Sequence, residues 1–351
     1  MSPAPSPEAQ LDFLSKLQRL FAEGDFTATY KFALLIALAD LAVEAGPNDG
    51  AELPLTIRQI AERFVRLYWQ QAMPYGTGRV GTEAGVLVQN LGAQAAVLNA
   101  IGDFRASAPG ITVQQARRAP TYTAMLAKVS SVVSAQPLNY LQNFGGVTDE
   151  FLYVRSARGS IKLRPGIAYC LRRFYTLVQQ LSRAHWIEHI KSNRQNHRIL
   201  GDAGDLEDFL FAFSRQSLAI VGTQLRKLDG AKCFYCQCAI VSADVDHFVP
   251  FSLYPRDQVH NLVLAHPTCN RSKSATLAAK PHLERWLERL LLKDDDLAEI
   301  GMLAGMANEA RTAKRVAAWG YGAASSTGGR AWLDAASYEP VTSSYLSLLG
   351  S

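Results

Sequence analysis

CFYCQCAIVSADVDHFVPFSLYPRDQVHNLVLAHPTCNRSKS, residues 233–274, carries four of the chain's five cysteines. Two ligand pairs punctuate it: C-x-x-C at Cys233 and Cys236, then H-x-x-C at His266 and Cys269. Each short-spaced pair suits a turn, and a tetrahedral zinc ion clamps two such turns together. Thiolate and imidazole match zinc's borderline-soft preference. With every position supplied by protein, the ion is structural and contributes folding energy. The plainer alternative is a set of free buried cysteines beside an unrelated histidine. Cys238 is the spare, either an alternative ligand or a packed thiol.

A second pattern interleaves with the first: Asp246-His247, then Asn261, then Asn270 followed by Arg271 and Lys273. A D-H dipeptide alone reads as a solvated pair; its weight comes from the partners that follow in order. The runs DHFVPFS, HNLVLA and CNRSK together resemble the HNH endonuclease motif. The resemblance covers this cysteine-rich segment alone, a small part of 351 residues. It implies a ββα-metal fold, in which a β-hairpin and a following helix hold one divalent cation against a phosphodiester. Founding members have a histidine where Asn270 stands, and a cysteine is commoner at His266. Asparagine can ligate a hard cation and histidine can ligate zinc, so both functions survive the change.

The resemblance assigns work to each residue. His247 is the expected general base, since an imidazole titrates near neutrality. Asp246 and Asn270 are the expected ligands of Mg²⁺ or Mn²⁺, which prefer oxygen donors. Asn261 completes the catalytic set by holding the loop and the backbone around His247. Arg271 and Lys273, in the following helix, are placed to reach phosphates. Cys233, Cys236, His266 and Cys269 keep their structural zinc. The expected activity is hydrolysis of DNA, one nick per active site; nothing in the sequence distinguishes RNA from DNA.

Outside this segment the charge is uneven. Lys and Arg number 36 against 31 Asp and Glu, for a net charge of +5. Residues 151–200 contain ten basic side chains and one acidic one, more than the whole excess. Such a patch is the usual footprint of a polyanion. Arg158, at the tip of an expected hairpin, with Arg164, Arg172, Arg173 and Arg183 on or before a long helix over 167–193, are the candidate phosphate contacts. The competing reading is a solvated helix face with interdomain ion pairs. His185, His189 and His197 fit nucleic-acid backbone contacts or core positions better than a second metal site.

The composition, 48% hydrophobic and 19% charged, excludes a disordered or fibrous chain,. The start, MSPAPSPEAQ, lacks the basic and apolar parts of an export signal,. The longest apolar run, residues 32–39, falls far short of the ~20 residues a membrane span needs,. A cytoplasmic protein is expected. The fold class is mainly α with a small α+β nuclease module. Residues 1–147 form a helical N-terminal domain, regulatory or partner-binding, with a winged-helix-like option at 55–71. Residues 148–230 form a basic hairpin-plus-helix region packing on the nuclease. Residues 231–280 are the HNH module, 281–320 are C-terminal helices, and 321–351 are a loosely ordered tail. A late nuclease module behind a long helical region is similar to bacterial HNH proteins of restriction and anti-phage defence. The rival readings are a partner-activated subunit of a defence complex and a non-catalytic zinc-stapled nucleic-acid-binding module; the expected partners are DNA and other defence-system proteins or a second copy of the chain.

Overall fold

The computed structural model describes residues 2–76, 83–156, 159–201, 205–211 and 215–350. The chain divides into two compact units, residues 1–212 and 213–351. Both are dominated by helices, with small antiparallel sheets. Among the described residues no helix is long and apolar enough to cross a membrane.

The first unit is built around one helix. In chain order it contains α1 (Pro7–Glu23), α2 (Tyr30–Ala45), β1 (Leu53–Thr56) and α3 (Ile57–Trp69). There follow α4 (Ala96–Ser107), α5 (Tyr122–Ala135), β2 (Tyr153–Ser156), β3 (Ser160–Leu163), α6 (Ile167–Arg173) and α7 (Tyr175–Ser192). The sequence of α2 is apolar on every side, and every residue from Tyr30 to Glu44 is buried. A helix with no polar face must be surrounded. Its two acidic residues are matched. Asp40 accepts hydrogen bonds from Tyr175 Oη at 2.7 Å and Gln179 Nε2 at 2.9 Å, and Glu44 pairs with Arg63. Thr56 and Gln59 close a reciprocal capping box at the start of α3,.

Two expectations change here. Residues 148–212 belong to the first unit, so the boundary expected near 147 is absent. The physical reason is strand pairing: β1 joins β3 antiparallel, with Leu53 opposite Leu163, and β3 joins β2. The helix expected over 167–193 is broken at Phe174, whose backbone leaves the helical region and whose ring stacks on Phe13.

The second unit opens with α8 (Arg215–Asp229) and then forms β4 (Asp244–His247), β5 (Leu262–Ala265) and α9 (Pro267–Lys273). Helices α10 (Lys280–Leu292), α11 (Asp294–Ala304) and α12 (Ala310–Ser326) follow. Trp286 of α10 is fully buried, stacks on Phe248 at 4.7 Å and donates from Nε1 to the His260 carbonyl at 2.9 Å. One side chain thus fixes both ends of the loop that joins β4 to β5.

The tail expected to be loose is ordered. It contains β6 (Arg330–Asp334), β7 (Ser337–Pro340) and α13 (Ser343–Leu349). A Gly/Ser/Ala-rich composition concealed its anchors. Trp332 is buried, bonds through its backbone to Leu277 and Ala279, and donates from Nε1 to Ser272 Oγ at 3.0 Å. Tyr321 donates to the Ala278 carbonyl at 2.6 Å, and Tyr345 accepts from the Lys280 amide at 3.0 Å. The C-terminal segment therefore braces the chain that leaves α9.

Candidate active site

The cysteine-rich turn folds tightly. The Gln237 amide donates back to the Cys233 carbonyl at 2.9 Å, and Gln237 takes a positive φ of 60° that closes the turn. Phe234 N–H bonds to the Leu264 carbonyl at 2.8 Å, which ties the turn to β5. Arg285 donates to the carbonyls of Phe234 and Tyr235 from below. At the far end of β5, His266 caps α9 and Pro267 opens it.

These elements bring Cys233, Cys236, His266 and Cys269 together, with all four ligand atoms within 4.8 Å of one another. Sulfurs 2.3 Å from a tetrahedral zinc would lie ~3.8 Å apart, within that bound. The histidine is set up for ligation. Its Nε2 faces the Ala239 carbonyl at 3.0 Å, and a carbonyl only accepts, so the proton sits there,. That leaves the lone pair on Nδ1, which lies 3.3 Å from Cys236 Sγ. A carbonyl partner on the outer nitrogen is the usual way a ligating imidazole is oriented. Burial, then the neighbouring Cys233, pushes the Cys269 thiol up to about 12. A divalent cation, which binds the thiolate, would offset that shift at Cys269. Cys238 lies outside this cluster; its thiol is exposed rather than packed, and approaches the Cys236 carbonyl at 3.5 Å.

The hairpin carries the second constellation. β4 pairs antiparallel with β5, Asp246 opposite Val263 and His247 opposite Leu262. Asp244 and Asp246, two residues apart on a strand, share one face. Asn270 and Lys273, three apart on α9, share the helix face that meets it. Asn270 Nδ2 donates to Asp244 Oδ2 at 3.0 Å. Lys273 Nζ lies 3.0 Å from Asp246 Oδ2 and donates to the His247 carbonyl at 2.8 Å. Tyr235 completes the set, donating from Oη to Asp246 Oδ2 at 2.5 Å. Burial, reinforced by Asp246, holds the Tyr235 phenol well above its usual range, so it remains a donor.

Asp246 is consequently 7% exposed and Lys273 0%. Lys273 was expected at phosphates; the structure instead places it inside, as the counter-ion of Asp246. Burial lowers its pKa while Asp246 opposes that shift. The physical reason lies in helix geometry: the position three after Asn270 faces the hairpin, whereas Arg271 faces out and is exposed,. Asn261 is buried and grips Val249 in both directions, accepting from its amide at 2.8 Å and donating to its carbonyl at 2.9 Å. Its own carbonyl accepts from Phe248 N–H at 2.7 Å. Asn261 therefore shapes the backbone after His247.

His247 lies beside the exposed-edge ring of Phe251, with centroids 5.1 Å apart. Its Nε2 meets Asp257 Oδ1 at 2.5 Å. Asp257, Asp244 and Tyr235 were all missed by the sequence reading. For Asp244 there was a signal, the alternation D-V-D along a strand. Tyr235, between the zinc cysteines, and Asp257, in an irregular loop, gave none.

A hard dication would find suitable donors here. Asn270 commits its amino group to Asp244, leaving its amide oxygen as the ligand atom,. Tyr235 and Lys273 occupy part, but not all, of the four lone-pair sites of the Asp246 carboxylate,. The oxygen chemistry suits Mg²⁺ or Mn²⁺.

The basic stretch of the first unit behaves differently. Arg172 is buried and donates to the carbonyls of Ala42, Val43 and Gly46 at 3.0–3.1 Å. It caps the C-terminus of α2, where unpaired carbonyls concentrate negative charge. Burial lowers its pKa to about 10, still charged at neutral pH. Arg183 packs its guanidinium over the Phe211 ring at 4.9 Å. Arg172 is therefore not an open phosphate contact, and Arg183 is half-buried. Arg164 and Arg173 are exposed. Arg158 lies outside the described residues. His185 stacks on Phe21 at 4.8 Å, and His189 is buried beside Phe32.

A family model described as HNH endonuclease matches residues 233–279. The second unit thus contains an HNH endonuclease module, with the cysteine–histidine cluster at its base. The chain as a whole belongs to the family described as Domain of unknown function (DUF8808), whose model matches residues 10–210, more than half of its length. Neither curated proteins nor solved structures return a significant match.

Proposed function

We propose that this protein is a metal-dependent endonuclease that hydrolyses DNA phosphodiesters, cutting one strand per active site. The observation that carries the reading is the joining of Asp246, His247 and Asn270 in one hairpin-and-helix unit closed by a four-ligand cluster. His247 takes a proton from water. The water oxygen forms a bond to phosphorus, the bond from phosphorus to O3′ breaks with its electron pair on O3′, and O3′ gains a proton from solvent. Asp246 and Asn270 would hold the divalent cation, which neutralises phosphate charge and stabilises the departing oxygen when bound. Lys273 and Tyr235 keep Asp246 fixed, and Asn261 keeps His247 presented. Cys233, Cys236, His266 and Cys269 would hold a structural zinc, which would join the turn that carries Tyr235 to the helix that carries Asn270. Arg271, Arg164 and Arg173 are the exposed cations that would meet the DNA backbone,.

We extend the proposal to bacterial defence against foreign DNA, on the likeness of this module order to bacterial HNH proteins of restriction and anti-phage defence. The first unit would then recognise a target or a partner that switches the nuclease on. The test is a plasmid assay on wild type and His247→Ala with Mg²⁺, Mn²⁺ or EDTA. Wild type should convert supercoiled to open-circle DNA with metal, and the variant should lose this by about 10²–10⁴-fold. A fully active variant overturns the base assignment. Binding without nicking under any metal, with zinc bound and the fold intact, favours a partner-activated or binding-only module.

A further inference from the structure

His247 and Asp257 meet side chain to side chain. The imidazole Nε2 and the carboxylate Oδ1 are 2.5 Å apart. The side chains are 17% and 6% exposed, so the pair is largely removed from water and its geometry is not competed away,. Asp257 sits ten residues after His247, in the loop between the two strands. That loop is anchored at both sides of the carboxylate. Ahead of it, the Tyr254 and Leu253 amides bond to the Pro250 carbonyl. Behind it, Val259 N–H bonds to the Ala307 carbonyl at 2.9 Å, and Asn261 clamps Val249. Both partners therefore stand on fixed backbone.

We infer that Asp257 is the positioning residue of His247. An ionised carboxylate only accepts hydrogen bonds, so Nε2 must carry the proton and Nδ1 the lone pair. The contact selects one of two tautomers and one ring orientation, and it stabilises the imidazolium that forms once the water proton arrives. The arrangement follows the general logic of a base oriented by a third group. It also explains the burial of Asp257, whose carboxylate meets the ring. The inference rests on the reading of His247 as the base.

Four full-length, zinc-loaded proteins test it: wild type, His247→Ala, Asp257→Asn and Asp257→Glu, each measured for kcat and KM on supercoiled plasmid. Asp257→Asn is isosteric and should lower kcat by about 10²–10⁴-fold. Its KM, zinc content and Tm should stay at wild-type values, and Asp257→Glu should recover part of kcat. Wild-type kcat in Asp257→Asn, beside an inactive His247→Ala, overturns the Asp257 role alone. So does a loss in Asp257→Asn that tracks a fall in zinc or Tm, with no recovery in Asp257→Glu. Full activity in His247→Ala removes the base reading and this inference together.

Discussion

Residues 233–274 and residues 151–200 both stand out in the sequence, one for its ligand spacing and the other for its charge, and they meet different fates. In the first, nearly every marked side chain touches another: His266 meets Cys236, Asn270 meets Asp244, and Lys273 meets Asp246. In the second, the marked arginines disperse. Arg172 caps a buried helix, Arg183 covers a phenyl ring, and Arg164 and Arg173 are exposed. Spacing between unlike ligand types encodes a geometry that one ion or one phosphate demands. A run of like charges encodes only a count, and long cationic side chains satisfy carbonyls and rings as readily as phosphates.

Removing the four-ligand cluster should have the largest effect. Structural zinc binding is worth ~10–16 kcal/mol in small zinc-finger peptides. Cys269→Ser is expected to drop zinc below stoichiometry and to melt the second unit well before the first, as read by metal analysis and calorimetry. An unchanged zinc content and melting profile would break the comparison, leaving the cysteines as ordinary buried thiols.

Next comes the buried ion pair. Lys273→Met leaves the Asp246 carboxylate enclosed without its counter-ion, a change that costs about 3–5 kcal/mol. Denaturant unfolding should report that loss. Stability at the wild-type level, with only a raised KM and an altered salt dependence of DNA binding, would return Lys273 to the phosphate role its sequence position implied.

The smallest effect belongs to the basic stretch. Arg172→Ala strands helix-terminal carbonyls and should cost about 1.5–3 kcal/mol, the range for a hydrogen bond to a charged group. DNA affinity should not change. Arg173→Ala, its exposed neighbour, should stay within about 0.5 kcal/mol of wild type. If it contacts phosphate, the slope of log affinity against log salt should fall by about one. The reverse outcome, with Arg172 governing affinity and not stability, would make the two regions alike.

Several elements were legible without a structure. The apolar run from Tyr30 to Glu44 reads as a buried helix, Thr56 reads as the cap of α3, and the C-x-x-C and H-x-x-C pairs read as one cluster; all three form. Each follows from local periodicity or from the directional demands of a metal. Others were hidden. The ordered end of the chain depends on Trp332, Tyr321 and Tyr345 finding Leu277, Ala278 and Lys280, contacts that composition does not announce.

By itself, the sequence determined which residues could do chemistry: the donor types, their order, and the alternation that puts Asp244 and Asp246 on one face. Only the tertiary structure decided which of them face each other. It turned Lys273 inward and Arg271 outward, set Tyr235 against Asp246, and brought Asp257 to His247 across an irregular loop. Such pairings depend on the path of the intervening backbone, and that path is set by packing around Trp286 and by the grip of Asn261 on Val249. No spacing rule within one segment carries that information.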